Sequence, residues 1–175
     1  VYIGEKRGDC VLLESNGEYL LMDLGTKDAY PRIKALLNSL GVTHLSLYIS
    51  HTHSDHTGGL EDGNGYERIN SDFQIDHVYL PDQNLAKPVD HSWNYEKFVS
   101  LYEKHNTEKS ASEAIHYLKA GDTFTVGAAK AEVLGPVSTE KLKQPKNPAD
   151  KDAGDTGDYE NNNSLITKFT CAGYT

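Results

Sequence analysis

Three histidines and one aspartate fall within six positions, His51-Thr-His53-Ser-Asp55-His56, directly after the apolar run at residues 45–49. Neutral imidazole and carboxylate are the donors that divalent zinc accepts, at about 2.0–2.2 Å. Side chains diverge in a loop that leaves a buried strand. His51 and His53 are therefore expected to converge on one point, and Asp55 and His56 on another. Two neighbouring cation sites follow. A close pair of cations lowers the pKa of a bound water and neutralises charge growing on oxygens at carbonyl or phosphorus. The chemistry expected is hydrolysis, with Asp55 also placed to accept a proton. The alternative is a solvated polar turn that happens to hold histidines. No other nucleophile competes: neither cysteine has a histidine near it in sequence, and no Gly-x-Ser-x-Gly elbow, Walker loop or dinucleotide fingerprint occurs.

The elements that must position this segment read as follows. Residues 10–15 and 19–23 are strand-like runs joined across Asn16-Gly17, a pair that tolerates positive φ and marks a hairpin. Asp23-Leu24-Gly25 turns the chain. Ile33, Leu36, Leu37 and Leu40 recur at helical spacing over residues 29–40, with Pro31 in the first turn and Gly41 as the stop. Residues 45–50 form a buried strand that delivers the histidines. Asp62-Gly63-Asn64-Gly65 breaks the chain, and residues 76–80 form the next strand. Tyr95, Phe98, Leu101 and Tyr102 mark a second helix. A third is predicted from Ser110, where Ser110-x-x-Glu113 is a capping box, to Gly121. Residues 123–126, 131–134 and 165–171 are further strands, and 138–163 is a long polar, mobile loop. The order implies an α/β fold with mixed sheets in a single domain over residues 1–175.

Composition bounds the partners. The 175 residues carry 17 Lys and Arg against 26 Asp and Glu, a formal charge of −9. That length supports one sizeable core. The acidic balance argues against a strong nucleic-acid-binding surface, and no apolar run is long enough for a membrane span. Cys10 and Cys171 allow at most one bridge and are expected as buried thiols packed like small hydrophobes. His77, in a strand, and His105 and His116, expected on helices, read as surface or packing residues. The acidic run at residues 150–155 lacks the order of a calcium loop and reads as a solvated loop.

Six stretches then resemble the metallo-β-lactamase superfamily, whose hallmark is His-x-His-x-Asp-His after a core strand. They are Gly8-Asp9-Cys-Val-Leu-Leu13, Asp23-Leu-Gly25, Ser50 through Leu60, Ala120-Gly121-Asp122, Val133-Leu-Gly-Pro136 and Asn161-Asn-Asn-Ser-Leu165. Within the superfamily the pattern is most similar to the branch of ComEC-type DNA-uptake proteins and phosphorylcholine esterases of bacterial surfaces. The resemblance implies an αβ/βα four-layer sandwich, with two mixed sheets between outer helices and two metals at one edge. It implies His51 and His53 as ligands of one metal, Asp55 and His56 as ligands of the other, and Asp23 as the residue that orients the ligand loop. Zinc is the expected metal, with manganese or iron also suited. His91, on the loop that follows the strand at 76–80, is a candidate substrate contact.

The chain departs from the family pattern in its last part. Where the family carries a further histidine near a Gly-Ser pair, this chain has Glu160-Asn-Asn-Asn-Ser164. Asn161 or Asn162 is a candidate to orient substrate or water, with a plain turn as the alternative. The bridging Ser/Thr-Gly-Asp motif would come one strand after 165–171, and the sequence stops at Thr175. The second half of the fold is therefore expected to be incomplete. With two side chains per metal, weak metal binding and poor catalysis are expected of residues 1–175 alone.

The expected function is a metal-dependent hydrolase acting on a small-molecule or polymer phosphodiester, since the resembled branch acts largely on phosphodiesters. The charge favours a small headgroup or a short chain end. Hydrolysis of a lactone, thioester or β-lactam is the enzymatic alternative, and a non-catalytic surface or binding module is the other. A single Met, eleven Tyr and the resemblance to extracytoplasmic domains point to a secreted or cell-surface protein, with a cytoplasmic one as the alternative.

Overall fold

The computed structural model describes residues 8–51, 53–60, 68–82, 95–106, 108–136 and 164–171. β1 (Val11–Ser15) and β2 (Glu18–Met22) pair antiparallel. Asn16 and Gly17 between them adopt φ of 52° and 82°, as a two-residue hairpin turn requires. The chain then crosses over through α1 (Tyr30–Ser39), with Pro31 in its first turn, to β3 (His44–Tyr48). Next come one helical turn, α2 (Ser54–Thr57), a 3₁₀ turn (Gly58–Leu60) and α3 (Arg68–Asp72), which precedes β4 (Gln74–Pro81). After α4 (Tyr95–His105) and a single turn, α5 (Ala111–Ala114), the chain enters β5 (Ile115–Leu118). β2 to β5 run parallel, in a five-stranded sheet ordered β1-β2-β3-β4-β5. β6 (Thr123–Val126), β7 (Ala129–Gly135) and β8 (Ile166–Thr170) form a second, antiparallel sheet.

Neighbouring residues of the parallel strands serve different cores. Leu21, Leu45, Leu47, Ile75, Val78 and Leu80 pack with Ile33, Leu37 and Tyr102 on the helical side. Leu20, Tyr48, Tyr79 and Leu118 meet Val126, Val133 and Leu165 between the sheets. Both faces of the central strands are thus covered, which is why they read as near-continuous apolar runs. Among the described residues the layers run helix, sheet, sheet. No helix among them is long and apolar enough to cross a membrane. The loops after β2 and β3 leave from the same, carboxyl edge of the parallel sheet, where α/β proteins bind ligands.

The mixed α/β architecture agrees with the sequence; three local expectations need correction, and one short helix was not foreseen. The capping box at Ser110 forms, with Glu113 accepting from both the Ser110 hydroxyl and backbone N–H (2.6 and 3.0 Å), yet its helix lasts one turn. Residues 115–118 instead pair with the edge of β4, Val78 opposite Ile115 through Pro81 opposite Leu118. Satisfying that edge and burying Ile115 and Leu118 on opposite faces outweighs a local helix signal. His116 consequently sits in a strand. α3, which no motif announced, fills part of the stretch between the Gly-rich break and β4. Cys10 is a buried free thiol as expected, but Cys171, just beyond β8, is exposed among the described residues. The expected loop at 138–163 lies outside the described residues.

Candidate metal centre

The centre is built from the ends of β2 and β3. Asp23 closes β2 with φ of 55°, a left-handed conformation that Asp tolerates better than most residues. Its backbone N–H donates to the Tyr48 carbonyl at 2.8 Å, so its carboxylate faces the first residues beyond β3. That buried carboxylate accepts three hydrogen bonds, from the Ser50 N–H (2.7 Å), the Ser50 hydroxyl (2.6 Å) and His56 Nδ1 (2.7 Å). The segment reaches His56 through α2, where the N–H groups of His56 and Thr57 both donate to the His53 carbonyl at 2.9 and 3.0 Å. The turn then lies flat on the loop after β2: Leu24 N–H bonds the His56 carbonyl (2.7 Å), and Gly58 N–H bonds the Gly25 carbonyl (2.9 Å). Only glycines permit this approach. A Cβ at Gly58 would overlap the Lys27 backbone nitrogen, and one at Gly59 would lie 2.6 Å from the Leu24 carbonyl oxygen.

His51 is the centre of the cluster, only 6% exposed. Its ring lies 4.7 Å from that of His53 and 4.0 Å from that of His56. The Ser50 hydroxyl gives its one proton to Asp23, so at 3.0 Å from His51 Nδ1 it can only accept. Ser164 Oγ also approaches that nitrogen, at 3.2 Å. His51 therefore carries its proton on Nδ1. Its Nε2 lone pair is left buried with no hydrogen-bond partner among the described residues. Burial, then the neighbouring His56 and His53, push the His51 pKa down to about 3, so the ring is neutral at physiological pH. Burial alone would lower His56 as well, but its hydrogen bond to Asp23 and the charges of Asp23, Asp55 and Asp9 raise it above the ordinary histidine value. Asp55 sits beside it, Oδ1 4.0 Å from His56 Nε2, with its side chain 45% exposed.

This donor set fits a cation. A buried neutral imidazole with an orphaned lone pair gains a partner when a metal binds, and a carboxylate behind a second imidazole is the usual way to orient a ligand and raise its basicity. The arrangement differs from the two separate pairs expected. α2 folds His56 back over His51, so the three imidazoles form one cluster with Asp55 at its rim. The donors are gathered loosely: among the described residues the set of three with ligand atoms within 4.8 Å of one another is His44, Asp76 and Glu108, away from the histidine loop. His91, Asn161 and Asn162 lie outside the described residues. The sequence did not single out Ser50 and Ser164, which fix the His51 tautomer. Their signal is a place in two of the family-like stretches, Ser50 closing the apolar run at 45–49 and Ser164 preceding the last strand.

A family model described as Anti-Pycsar protein Apyc1 matches residues 7–134. No curated protein matches the chain. Among solved structures, a metallo-β-lactamase of Cronobacter sakazakii with a HARLDQ motif resembles it with a TM-score of 0.53 at 15% identity. The S60 mutant of that protein gives 0.54 at 14%, and the Rm3 metallo-β-lactamase 0.52 at 18%. Each alignment covers 99% of this chain and 55% of the other. The chain thus has the metallo-β-lactamase fold and spans about half the length of these structures. None of these matches singles out the DNA-uptake or phosphorylcholine-esterase branch.

Proposed function

The chain belongs to the Apyc1 family of anti-Pycsar proteins, and on that premise we propose that it is a metal-dependent hydrolase of small phosphodiesters. The observation that carries this reading is His51: buried, neutral, and presenting an unpartnered Nε2 at the centre of three imidazoles. His51, His53, Asp55 and His56 hold divalent cations, zinc first, with manganese or iron also suited. Such cations acidify water and neutralise charge on the oxygens of the reacting group. Ser50 and Ser164 hold the His51 ring in its ligand tautomer, and Asp23 holds His56 and Ser50 together. Asp55, whose side chain is 45% exposed against 15% for that of His56, accepts the proton of the attacking water.

Three features support a phosphodiester. The motifs resemble a branch that acts on that bond, the charge of −9 suits a small substrate over a long polyanion, and an antagonist (the sense of "anti-Pycsar") can act by destroying a molecule. His91, Asn161 and Asn162 are the proposed substrate contacts, on the sequence resemblance alone. Zinc-loaded protein is expected to turn over bis(p-nitrophenyl) phosphate, slowly for residues 1–175 alone, with kcat/KM at least ~10²-fold lower in His53→Ala. Activity confined to nitrocefin or lactones would move the substrate to acyl compounds. Metal-independent behaviour on every substrate would favour a non-catalytic module.

A further inference from the structure

The amino end of the same sheet carries a second group of donors, assembled by an irregularity in strand pairing. Leu45 pairs with Ile75 and Leu47 with Val78, so Asp76 and His77 share the place opposite Ser46. Such a bulge re-aims side chains. Ile75 and Val78 both enter the helix-side core, while Asp76 and His77 are left half-buried, lining a cavity of about 440 Å³ with His44, Ser46, Glu18 and Lys109. The connection after α4 is pinned beside them. The Asn106 side-chain oxygen accepts from the Ile75 N–H at 2.8 Å, and its amide donates to the Tyr102 carbonyl at 2.9 Å. This anchor sets Glu108 and Lys109 against the start of β4.

We propose that His44, Asp76 and Glu108 form a second divalent-cation site, separate from the histidine loop, with His44 and Asp76 on the wall of this cavity. One donor atom from each lies within 4.8 Å of the other two, and His44 Nδ1 stands 3.2 Å from Asp76 Oδ1. Two carboxylates this close repel when both are ionised. Lys109 is engaged with the Asp76 carbonyl (3.4 Å) and His77 Nε2 (3.2 Å). A cation there relieves the repulsion and takes the place of the proton that His44 Nδ1 shares with Asp76. One imidazole and two carboxylates suit zinc or manganese. Three protein donors leave a coordination position for water or a small ligand from the cavity. The site does not depend on the hydrolase reading, since His44 and His51 stand at opposite ends of β3, roughly 20 Å apart at the rise of an extended chain.

The test removes the loop site first. In the His51→Ala/His53→Ala protein, calorimetric titration with zinc alone is expected to show one equivalent bound. Adding His44→Ala is expected to weaken that binding about 10²-fold, and Glu108→Gln about 10-fold or more. Zinc-induced displacement of the His44 Nδ1 resonance in nitrogen NMR identifies the ligand atom. Should the double variant fail to fold, total zinc in otherwise native protein is expected to fall by one equivalent in His44→Ala. No zinc uptake by the folded double variant, or uptake indifferent to His44→Ala, overturns the proposal.

Discussion

The two ends of β3 both gather histidine and carboxylate, but by opposite means. At the carboxyl end the donors lie within six positions of sequence, and part-buried hydrogen bonds to Asp23 hold His56 and Ser50, the latter in turn meeting His51. At the amino end His44 and Asp76 are 32 positions apart and meet because two strands pair with a bulge. There the His44 side chain is 48% exposed and that of Asp76 33%. Burial makes the first end rigid and costly to disturb. Exposure makes the second tolerant and energetically shallow.

The comparison is tested most severely at Asp23. In Asp23→Ala the Ser50 N–H, the Ser50 hydroxyl and His56 Nδ1 lose their common acceptor. Stranded buried donors cost about 1–3 kcal/mol each when water cannot reach them. A loss of about 3 kcal/mol is expected in urea unfolding of the metal-free protein, allowing for some relaxation. Asp23→Asn should lose less, since Asn also tolerates positive φ and keeps one acceptor oxygen. At the other end, His44→Ala is expected to cost under ~1 kcal/mol, as for exposed ion pairs generally. Equal costs at the two ends would break the contrast.

A second, smaller effect probes how the histidine loop is pressed onto the loop after β2. Gly59→Ala places a Cβ 2.6 Å from the Leu24 carbonyl oxygen and 2.8 Å from its Cβ. Backbone cannot yield as a flexible side chain can, so about 2 kcal/mol of destabilisation is expected, within the usual cost of overpacking. Zinc affinity at the histidine loop should fall with it, while zinc uptake in a variant lacking that loop's histidines should not change. Gly41→Ala offers a contrast in kind: its Cβ would meet nothing within 4 Å, and only its φ of 68° is strained.

The same contrast explains what could be read from the sequence. The ligand cluster was legible because its donors are contiguous, and the first hairpin and α1 because Asn16-Gly17 and Pro31 act locally. The ring arrangement was not legible, since it depends on α2 folding back and on Ser50 and Ser164 fixing a tautomer. β5 was misread as helix because the capping box is a real local signal, answered by a pairing partner more than thirty residues earlier. The amino-end cluster left no motif at all. It exists only once β3 and β4 are in register and Asn106 has pinned the chain after α4.

The smallest effect separates acid sensitivity from either end of β3. Behind the histidine loop, α1 and α3 are clamped by Asp72, which accepts from Tyr30 Oη and Lys34 Nζ, each at 2.6 Å. Partial burial would raise the Asp72 pKa, but the hydrogen bonds from Lys34 and Tyr30 and the Lys34 charge hold it below the ordinary carboxylate value. A depressed folded pKa means that the unfolded chain takes up the proton first as pH falls. The clamp's stabilisation is therefore fully present above the unfolded value of about 4 and is lost as pH falls through the folded one. The Lys34 partner is 43% exposed, so the whole contribution should stay below ~1 kcal/mol and shrink in salt. Urea midpoints of the native protein and Asp72→Asn should differ slightly at pH 6 and converge towards pH 3. A gap that persisted in acid would mean that packing of α1 on α3, and not the charge on Asp72, holds the layer behind the histidines.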